Sequence, residues 1–361
     1  MFKLYENLVR PALFSLRAET AHDIGLVSLR IGLGSKAAQS IAARRFVAEP
    51  FGKLERFGLE FRNPLGIAAG FDKNGKVVNQ LSSLGFGFVE VGTITYEPQR
   101  GNDKPRLFRL PKDQALINRM GFNNDGAAAI VNRLKDIEPT CILGINIGKN
   151  KETPMDAATE NYLKSFELAH PVADYVAVNI SSPNTPNLRE LQRAENLNEL
   201  LRSLQNRNDA LGTKPLLVKI APDLNEGEIE SIVATCIARR IAGIIATNTT
   251  DSREGLKTSD VTRFGAGGLS GRPLTRMANN VIALIYKYSK GRLPTIGVGG
   301  IFTARDAFDK VTAGAGLLQA YTGFVYGGMT FAREINLGLA SILEERGYRT
   351  LDEAIGTSVK L

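Results

Sequence analysis

The chain has 361 residues, 43% of them hydrophobic, and a formal net charge of +8. This length and composition suffice for one large core, and no run approaches the roughly 18 uninterrupted apolar residues that a membrane span requires. Two cysteines, Cys141 and Cys236, exclude a disulfide framework and a cysteine-rich metal site, and we expect both to be buried, inert thiols.

The first 50 residues predict a helical annex. Glu6, Arg10 and Arg17 interrupt the apolar start and no small-residue cleavage site follows, so we expect no signal peptide and a cytoplasmic chain. The annex has more apolar surface than one packing contact requires, although an ordinary packed helix is the alternative. Two apolar lines run along a helix predicted over 20–33, one of Ile24, Val27 and Ile31 and one of Leu26, Leu29 and Leu33.

Eight short apolar segments follow, and each is succeeded by a helical pattern. Continuous apolar runs are typical of parallel strands that are buried on both faces. Helical spacing between them is seen, for example, in Val77, Val78, Leu81 and Leu84, and in Ile229, Ile232, Val233 and Ile237. The eight segments are 65–70, 88–93, 142–148, 175–182, 216–222, 243–249, 295–301 and 317–323.

This alternation predicts a (β/α)8 TIM barrel preceded by a small N-terminal helical annex. Parallel strands need crossovers of a dozen or more residues, and a span of roughly 270 residues suits such a barrel. The alternative is an open doubly wound sheet, which usually carries a dinucleotide-binding glycine fingerprint. Because the glycine-rich stretches 265–270 and 297–302 lack that fingerprint, the barrel is favoured.

The strand ends supply candidate functional residues, because barrel enzymes place catalytic groups on the loops after those ends. Neither His22 nor His170 lies at a strand end, and no carboxylate pair or HExxH spacing does, which disfavours metal hydrolysis, Ser-His-Asp chemistry and glycoside hydrolysis. The strand-end residues are Lys73, Thr93, Asn146, Asn179, Ser182, Lys219, Thr247, Asn248 and Thr249, with Asn118 and Asn184 in adjoining loops.

These side chains are neutral amides, hydroxyls and two ammonium groups. An asparagine offers one acceptor and two donors, which matches the edge of a planar ligand carrying C=O and N–H groups. Ammonium groups suit a carboxylate or a ring that becomes anionic. The sequence therefore predicts a site for a flavin and a small acidic heterocycle.

Two glycine-containing stretches, 297–301 and 320–324, follow the last two predicted strands. Barrels commonly bind phosphate at this position with backbone N–H groups and a helix N-terminus. Together the two stretches predict a phosphate-bearing cofactor.

Several sequence blocks occur in a fixed order along nearly the whole chain. They are AAGFDKNG (68–75), INRMGFNN (117–124), GINIGKNK (144–151), VNISSPNTPNLR (178–189), VKIAPDL (218–224), TNTT (247–250) and GGLSGRPL (267–274). Together these blocks resemble the membrane-associated, quinone-dependent class of dihydroorotate dehydrogenases. One departure is Tyr96 in the loop after the second strand, where the family commonly has proline.

The resemblance implies oxidation of (S)-dihydroorotate to orotate in de novo pyrimidine (UMP) biosynthesis, with FMN as hydride acceptor and a membrane quinone as final electron acceptor. Ser182 occupies the catalytic base position of the family. Since a serine hydroxyl is a poor base, it must pass its proton to a neighbour or to water. The substrate-binding positions implied are Lys73, Asn118, Arg119, Met120, Gly121, Phe122, Asn179, Asn184, Asn248 and Thr249.

The resemblance also implies one FMN per chain, with no metal and no iron–sulfur cluster. Lys219 matches the lysine that stabilises the anionic reduced flavin, and Gly271 and Gly300 are expected to allow close backbone approach. The cofactor-binding positions implied are Ala69, Gly70, Phe71, Asp72, Lys73, Thr93, Asn146, Asn179, Lys219, Thr247, Gly271, Gly300, Tyr321 and Thr322.

For residues 1–50 the resemblance implies two short helices that form a hydrophobic mouth for the quinone and lie on the membrane surface. His22 and Arg109 match positions near the quinone head, and residues 51–361 form the FMN-binding barrel. The expected location is the cytoplasmic face of the inner membrane, as a peripheral protein that contacts lipid. The expected state is a monomer that binds no nucleic acid.

Two other functions compete with this interpretation. The soluble, fumarate-type dihydroorotate dehydrogenases use a cysteine base, but no cysteine lies near Ser182. A flavoenzyme similar to tRNA dihydrouridine synthases would suit the positive charge, but it needs a catalytic cysteine and an RNA-binding domain, for which there is no room after Gly347.

Overall fold

A computed structural model describes residues 5–360, so the first four residues of the predicted annex and the last residue of the predicted barrel segment lie outside the described residues. The strands in chain order are β1 Leu54–Arg56, β2 Leu59–Phe61, β3 Leu65–Ile67, β4 Phe88–Ile94, β5 Leu107–Leu110, β6 Ala115–Asn118, β7 Ile142–Ile147, β8 Tyr175–Asn179, β9 Leu216–Ile220, β10 Gly243–Ala246, β11 Gly268–Gly271, β12 Thr295–Val298 and β13 Ala315–Ala320.

Eight parallel strands of the described chain close into a barrel in the order β10-β12-β13-β3-β4-β7-β8-β9. Each of the eight predicted segments overlaps one of these strands, so the TIM barrel is confirmed and the alternative of an open sheet is wrong. The strands are shorter than most of the segments: β3 ends at Ile67 and β10 at Ala246. The remaining residues of those segments belong to the loops at the carboxyl ends, where the polar side chains lie.

Helices separate the strands and cover the barrel. Asn225 and Thr303 begin two of them with reciprocal capping boxes, which satisfy the first free backbone N–H groups. The α-helices are α1 Arg10–Ser15, α2 Ala18–Gly32, α3 Lys36–Phe46, α4 Val78–Ser83, α5 Ala127–Lys135, α6 Ala158–Ala169, α7 Ala194–Leu211, α8 Glu226–Ala238, α9 Thr275–Ser289, α10 Ala304–Thr312, α11 Thr322–Gly327 and α12 Phe331–Glu345.

The amino ends of the barrel strands are covered by the antiparallel hairpin β1–β2. Phe61 packs edge-to-face on Phe88 of β4 with ring centroids 5.3 Å apart, and both side chains are buried. A methyl group at Gly66 would lie 2.5 Å from the Phe88 ring, so this end of the barrel requires glycine where the aromatic ring crosses. The hairpin therefore seals the end opposite the predicted site.

A small antiparallel sheet, β5–β6–β11, stands beside the barrel and was not predicted from the sequence. Its central strand β6 pairs with β5 on one side and with β11 on the other, joining Asn118 to Gly268 across 150 residues of chain. The sheet carries three predicted site residues, Arg109, Asn118 and Gly271. It therefore links the annex side of the molecule to the site.

The annex differs from the expected pair of short helices. It contains a π-helical turn at Tyr5–Val9 and the three helices α1, α2 and α3, of which α2 corresponds to the helix predicted over 20–33. Its two apolar lines have different surroundings: Leu26, Leu29 and Leu33 pack against the core, whereas Ile24, Val27 and Ile31 are exposed. Among residues 5–360, no helix is long and apolar enough to cross a bilayer.

The two cysteines lie on the barrel wall. Cys236 is buried on α8, as expected, whereas Cys141, just before β7, is only half-buried. Burial raises the pKa of the Cys141 thiol to about 11 and that of Cys236 to about 12. Because the thiolate is the reactive form, neither residue is a nucleophile at neutral pH.

One charged side chain outside the site predicts a pH-dependent stability. Lys310 of α10 is fully buried and donates to Asn279 Oδ1 at 2.6 Å, and this burial lowers its pKa to about 7. The unfolded side chain stays protonated up to about pH 10.4. The unfolded state therefore binds more protons between those values, and the destabilisation that Lys310 causes is greatest at and below pH 7 and is relieved as pH rises.

We expect Lys310→Met to raise the free energy of unfolding above that of wild type more at pH 7 than at pH 9.5. The gain over wild type should be smaller at pH 9.5 by about 2 kcal/mol or more. Urea denaturation at both pH values measures it. Lys135→Met is the control, because it removes the same charge from an exposed position at the end of α5. An equal pH response in the two variants would contradict the prediction.

Candidate active site

A cavity opens at the carboxyl ends of the barrel strands. The loops after β3, β8, β10, β12 and β13 contribute to its wall, together with residues of the side sheet. It brings together most of the predicted site residues, which are Ala69, Gly70, Lys73, Thr93, Asn118, Met120, Gly121, Phe122, Asn179, Ser182, Asn184, Lys219, Thr247, Asn248, Thr249, Gly271, Gly300, Tyr321 and Thr322.

The cavity floor is a hydrogen-bonded network of buried polar side chains. Asn179 Nδ2 donates to Thr93 Oγ1 at 2.9 Å and to Asn146 Oδ1 at 3.2 Å. The Oδ1 atom of Asn179 accepts from Asn248 Nδ2 at 3.2 Å and from Ser181 Oγ at 3.3 Å. Asn179 thus joins side chains from four strand ends, and the network holds each amide in one orientation.

Lys219 has an ammonium group with unused donors. Its side chain is only 6% exposed and lines the cavity, and it makes no hydrogen bond to another described residue. Its ion pair, with Glu90 Oε1, has a separation of 3.7 Å. A buried ammonium group needs acceptors, so the floor is built for a ligand that supplies them.

Ser182 lies at the wall formed by the loop after β8. Its Oγ accepts from the backbone N–H of Asn184 at 3.2 Å, and the side chain is 5% exposed. Asn184 Nδ2 in turn donates to Asn118 Oδ1 at 3.2 Å. The serine hydroxyl and the two amides therefore form one polar wall of the cavity, beside Asn248 and Thr249.

The glycine-containing stretches and β11 form another part of the cavity lining. Gly271 and Gly300 have left-handed φ angles of 102° and 75°. A methyl group would lie 2.3 Å from the Gln114 carbonyl oxygen at Gly271 and 1.9 Å from Thr275 Oγ1 at Gly300. Both positions therefore require glycine because of neighbouring protein atoms. The sequence analysis expected glycine there for another reason, the close approach of the backbone to a ligand.

Some predicted site residues do not line the cavity. Asn146 lies beneath the floor, and Asp72 accepts from the backbone N–H groups of Lys76 and Val77, which orders the loop after β3. Arg119 donates to the carbonyl oxygens of Phe264 and Ala266 and so fixes the loop before β11. Phe71, His22 and Arg109 also lie outside the lining.

His22 and Phe71 form the contact between the annex and the cavity wall. Their rings pack edge-to-face at 5.1 Å, and Phe71 also contacts Tyr321 at 5.7 Å. Burial lowers the pKa of His22 to about 3, and the positive charge of Lys73 adds to this shift. Burial also lowers the pKa of Lys73, to about 8. The imidazole is therefore neutral at neutral pH.

Arg109 attaches the annex to the side sheet. Its guanidinium group donates to the carbonyl oxygens of Leu13, Phe14 and Leu16 at 3.2, 2.7 and 2.9 Å. Most of its donors are thus used within the protein. Tyr96, the departure from the family pattern, lies outside the cavity lining, with Lys164 of α6 over its ring at 5.6 Å.

Sequence reasoning missed several residues of the site. Glu90 and Gln319 are buried in the barrel interior, and Ser181 Oγ donates to the Lys219 carbonyl oxygen at 2.7 Å. Thr185, in the same loop as Ser182, has a buried hydroxyl without a partner among the described residues. Glu90 and Gln319 could have been found from the sequence, because each is a polar residue inside an apolar strand segment, FVEVGT and LLQAYTG.

The chain is similar to known proteins over almost its full length. Residues 53–343 match the family described as dihydroorotate dehydrogenase. Proteins named dihydroorotate dehydrogenase (quinone) from Christiangramia forsetii and Gloeobacter violaceus are 51% and 48% identical, covering 92% and 97% of this chain and 98% of each relative. A crystal structure of DHODH in complex with ferulenol from Eimeria tenella matches with a TM-score of 0.84 at 36% identity, covering 94% of this chain and 95% of that chain.

The floor network predicts a large stability cost for one substitution. We expect Asn179→Ala to lower the free energy of unfolding by about 2–3 kcal/mol, because it removes one hydrogen bond from each of the side chains of Thr93, Asn146 and Asn248. Asn196→Ala, which removes one exposed hydrogen bond to the Glu190 carbonyl oxygen, is the control and should change stability by less than about 0.5 kcal/mol. Urea denaturation of the two variants compares them, and equal losses would contradict the prediction.

Proposed function

The chain belongs to the dihydroorotate dehydrogenase family, and from this premise we propose that it oxidises (S)-dihydroorotate to orotate, with FMN as hydride acceptor and a membrane quinone as final electron acceptor. This step belongs to de novo pyrimidine (UMP) biosynthesis. The observation that carries the proposal is a single cavity into which Ser182, the amides of Asn118, Asn179 and Asn248, and the Lys219 ammonium group converge.

The residues of the cavity fit a flavin. Lys219 has unused donors at the floor, and Gln319 Oε1 is a buried acceptor without a partner among the described residues. A planar ring with carbonyl oxygens and ring nitrogens supplies acceptors for such an ammonium group. The 14 cofactor positions named from the sequence are those that would hold FMN. Thirteen of them belong to barrel strands or to the segments that follow those strands, and Gly271 belongs to β11 of the side sheet.

When bound, FMN would supply the acceptor for the hydride that leaves the substrate. The chain's own residues orient the substrate and handle its proton. Asn118, Asn184 and Asn248 present amide groups to the edge of the pyrimidine ring, and Lys73 adds positive charge for the carboxylate. These contacts would hold the reacting carbon against Ser182.

Ser182 would remove the proton from the ring carbon that lies next to a carbonyl group. Its Oγ accepts a hydrogen bond from the Asn184 backbone, which leaves the hydroxyl proton free to be donated onward. Because a serine hydroxyl is a poor base, that proton must pass to a neighbouring group or to water. Cys141 and Cys236 lie outside the cavity lining, so a cysteine base has no counterpart at this wall.

The annex would deliver the quinone from the membrane. Residues 1–50 would form this segment and residues 51–361 the catalytic barrel, with His22 and Arg109 on the quinone side. Ile24, Val27 and Ile31 expose one apolar line of α2, which suits insertion into the surface of a bilayer. We place the protein at the cytoplasmic face of the inner membrane, as a peripheral protein.

Ser182→Ala should slow reduction of the bound flavin by dihydroorotate by ~100-fold or more and leave flavin bound, because only the proton acceptor is lost. Anaerobic stopped-flow absorbance measures this rate, and quinone or fumarate added afterwards identifies the electron acceptor. Ser203→Ala, on an exposed helical face, is the control. A rate of flavin reduction equal to that of wild type would show that Ser182 is not the catalytic base. Wild-type protein that purifies without flavin would overturn the proposed function.

The exposed line of α2 predicts a defect confined to membranes. Val27→Glu combined with Ile31→Glu should weaken binding to phospholipid vesicles by about tenfold or more, since each change removes the burial of one aliphatic side chain. Sedimentation with vesicles measures binding, and turnover with a short-chain soluble quinone should persist. Ile237→Glu, at an exposed position of α8 on the barrel, is the control. Unchanged vesicle binding in the double variant would contradict the assignment.

A further inference from the structure

Glu90 is a carboxylate enclosed within the barrel, and none of its surface is exposed. Its Oε1 accepts from Asn146 Nδ2 at 2.9 Å and lies 3.7 Å from Lys219 Nζ. Its Oε2 accepts from Gln319 Nε2 at 2.7 Å and from the Tyr175 hydroxyl at 2.9 Å. Four different strands thus contribute a partner to this one side chain.

Both oxygens of this carboxyl group accept hydrogen bonds. An amide nitrogen can only donate, so Asn146 and Gln319 make each of the two Glu90 oxygens an acceptor. The orientation of the Asn146 amide is fixed at its other end, because its Oδ1 accepts from Thr93 Oγ1 at 2.5 Å. With Lys219 Nζ 3.7 Å away, Glu90 is the acidic partner of a buried ion pair.

The Tyr175 ring reaches Glu90 because a glycine lies beside it on the neighbouring strand β7. A methyl group at Gly144 would lie 2.1 Å from Tyr175 Cζ, so the tyrosine ring crosses β7 at the one residue without a side chain. Burial and the negative charge of Glu90 raise the pKa of Tyr175 well above its ordinary value. The tyrosine therefore stays a hydrogen-bond donor to the carboxylate.

Glu90 does not line the cavity, whereas two of its partners, Lys219 and Gln319, do. The carboxylate lies behind the ammonium group that would face the flavin. In a site closed to water the interaction between charges is strong, so the carboxylate offsets much of the positive potential that Lys219 produces at the cavity floor.

We propose that Glu90 is a positioning residue for the flavin half-reaction: it holds Lys219 and Gln319 at the cavity floor, and its negative charge keeps the reduction potential of the bound flavin lower than Lys219 alone would set it. This inference rests on the proposed flavin site. It concerns a residue that never touches substrate or cofactor and acts through the side chains in front of it.

Measuring the midpoint potential of the flavin bound to Glu90→Gln tests this inference. Removal of the negative charge should favour the reduced form by about tenfold or more, a positive shift of ~30 mV or more for a two-electron couple. If Glu90 served packing alone, its replacement would move or release Lys219, and the potential would stay unchanged or fall. Either of those results would overturn the proposal.

Tyr175→Phe is the matched control, because it removes one hydrogen bond from the same carboxylate and keeps the charge. Its potential should shift less than that of Glu90→Gln, and an equal shift would assign the effect to packing and reject the proposal. If Glu90→Gln does not retain flavin, Glu90→Asp replaces it: the charge remains but retracts from Lys219, so a smaller positive shift is expected. A potential equal to or below that of wild type would then reject the proposal.

The same samples separate this inference from the proposed function. Purified wild-type protein must contain flavin that dihydroorotate reduces, and a protein without such flavin would overturn the function itself. Wild-type protein with reducible flavin, together with a Glu90→Gln variant whose potential is not raised, would overturn only the role of Glu90. Urea denaturation of each variant shows whether it is folded.

Discussion

A negative charge sealed inside a parallel barrel has to be matched by donors from neighbouring strands, since an unpaired buried charge is very costly. Glu90 sets this requirement here. Along the sheet its register partner on β7 is Gly144, whose own partner on β8 is Tyr175, so the acid, the open space and the hydroxyl lie at one level of the barrel. A shift of one residue in any of these strands would turn a side chain to the opposite face and leave the charge unmatched. The charge therefore specifies the register on which the cavity floor depends.

The annex is attached to the barrel by polar contacts as well as by packing, and this leaves part of its apolar surface free. Arg106 binds Glu19 at the start of α2 with an N–O distance of 2.8 Å, and both side chains are largely buried. Arg109 donates to three carbonyl oxygens around the end of α1. With the helices held at their ends in this way, the line of Ile24, Val27 and Ile31 on α2 does not have to pack against the barrel, and it remains exposed.

The parts of the fold that could be predicted are those encoded locally. Strands buried on both faces appear as continuous apolar runs, and the carboxyl ends of parallel strands converge, so Lys219 and Asn179 could be placed in one site without knowledge of the register. The side sheet could not be predicted, because its strands are four residues long and join Asn118 to Gly268. The charge of Glu90 is visible in the sequence, but its partners depend on register, which the apolar pattern of fully buried strands does not specify.

The cavity floor and the loop that carries Ser182 are held in place by contacts of different strength. The floor consists of strand residues whose polar atoms are buried and mutually bonded, so moving one side chain leaves several others unpaired. The loop that carries Ser182 is fastened instead by Arg189, which donates to the Ser181 carbonyl oxygen and pairs with Asp223 and Asp251 at 3.1 and 2.8 Å. These ion pairs are partly exposed, and such pairs contribute roughly 1 kcal/mol or less each. The loop that carries Ser182 is therefore held more weakly than the cavity floor, whose buried polar groups bond to one another.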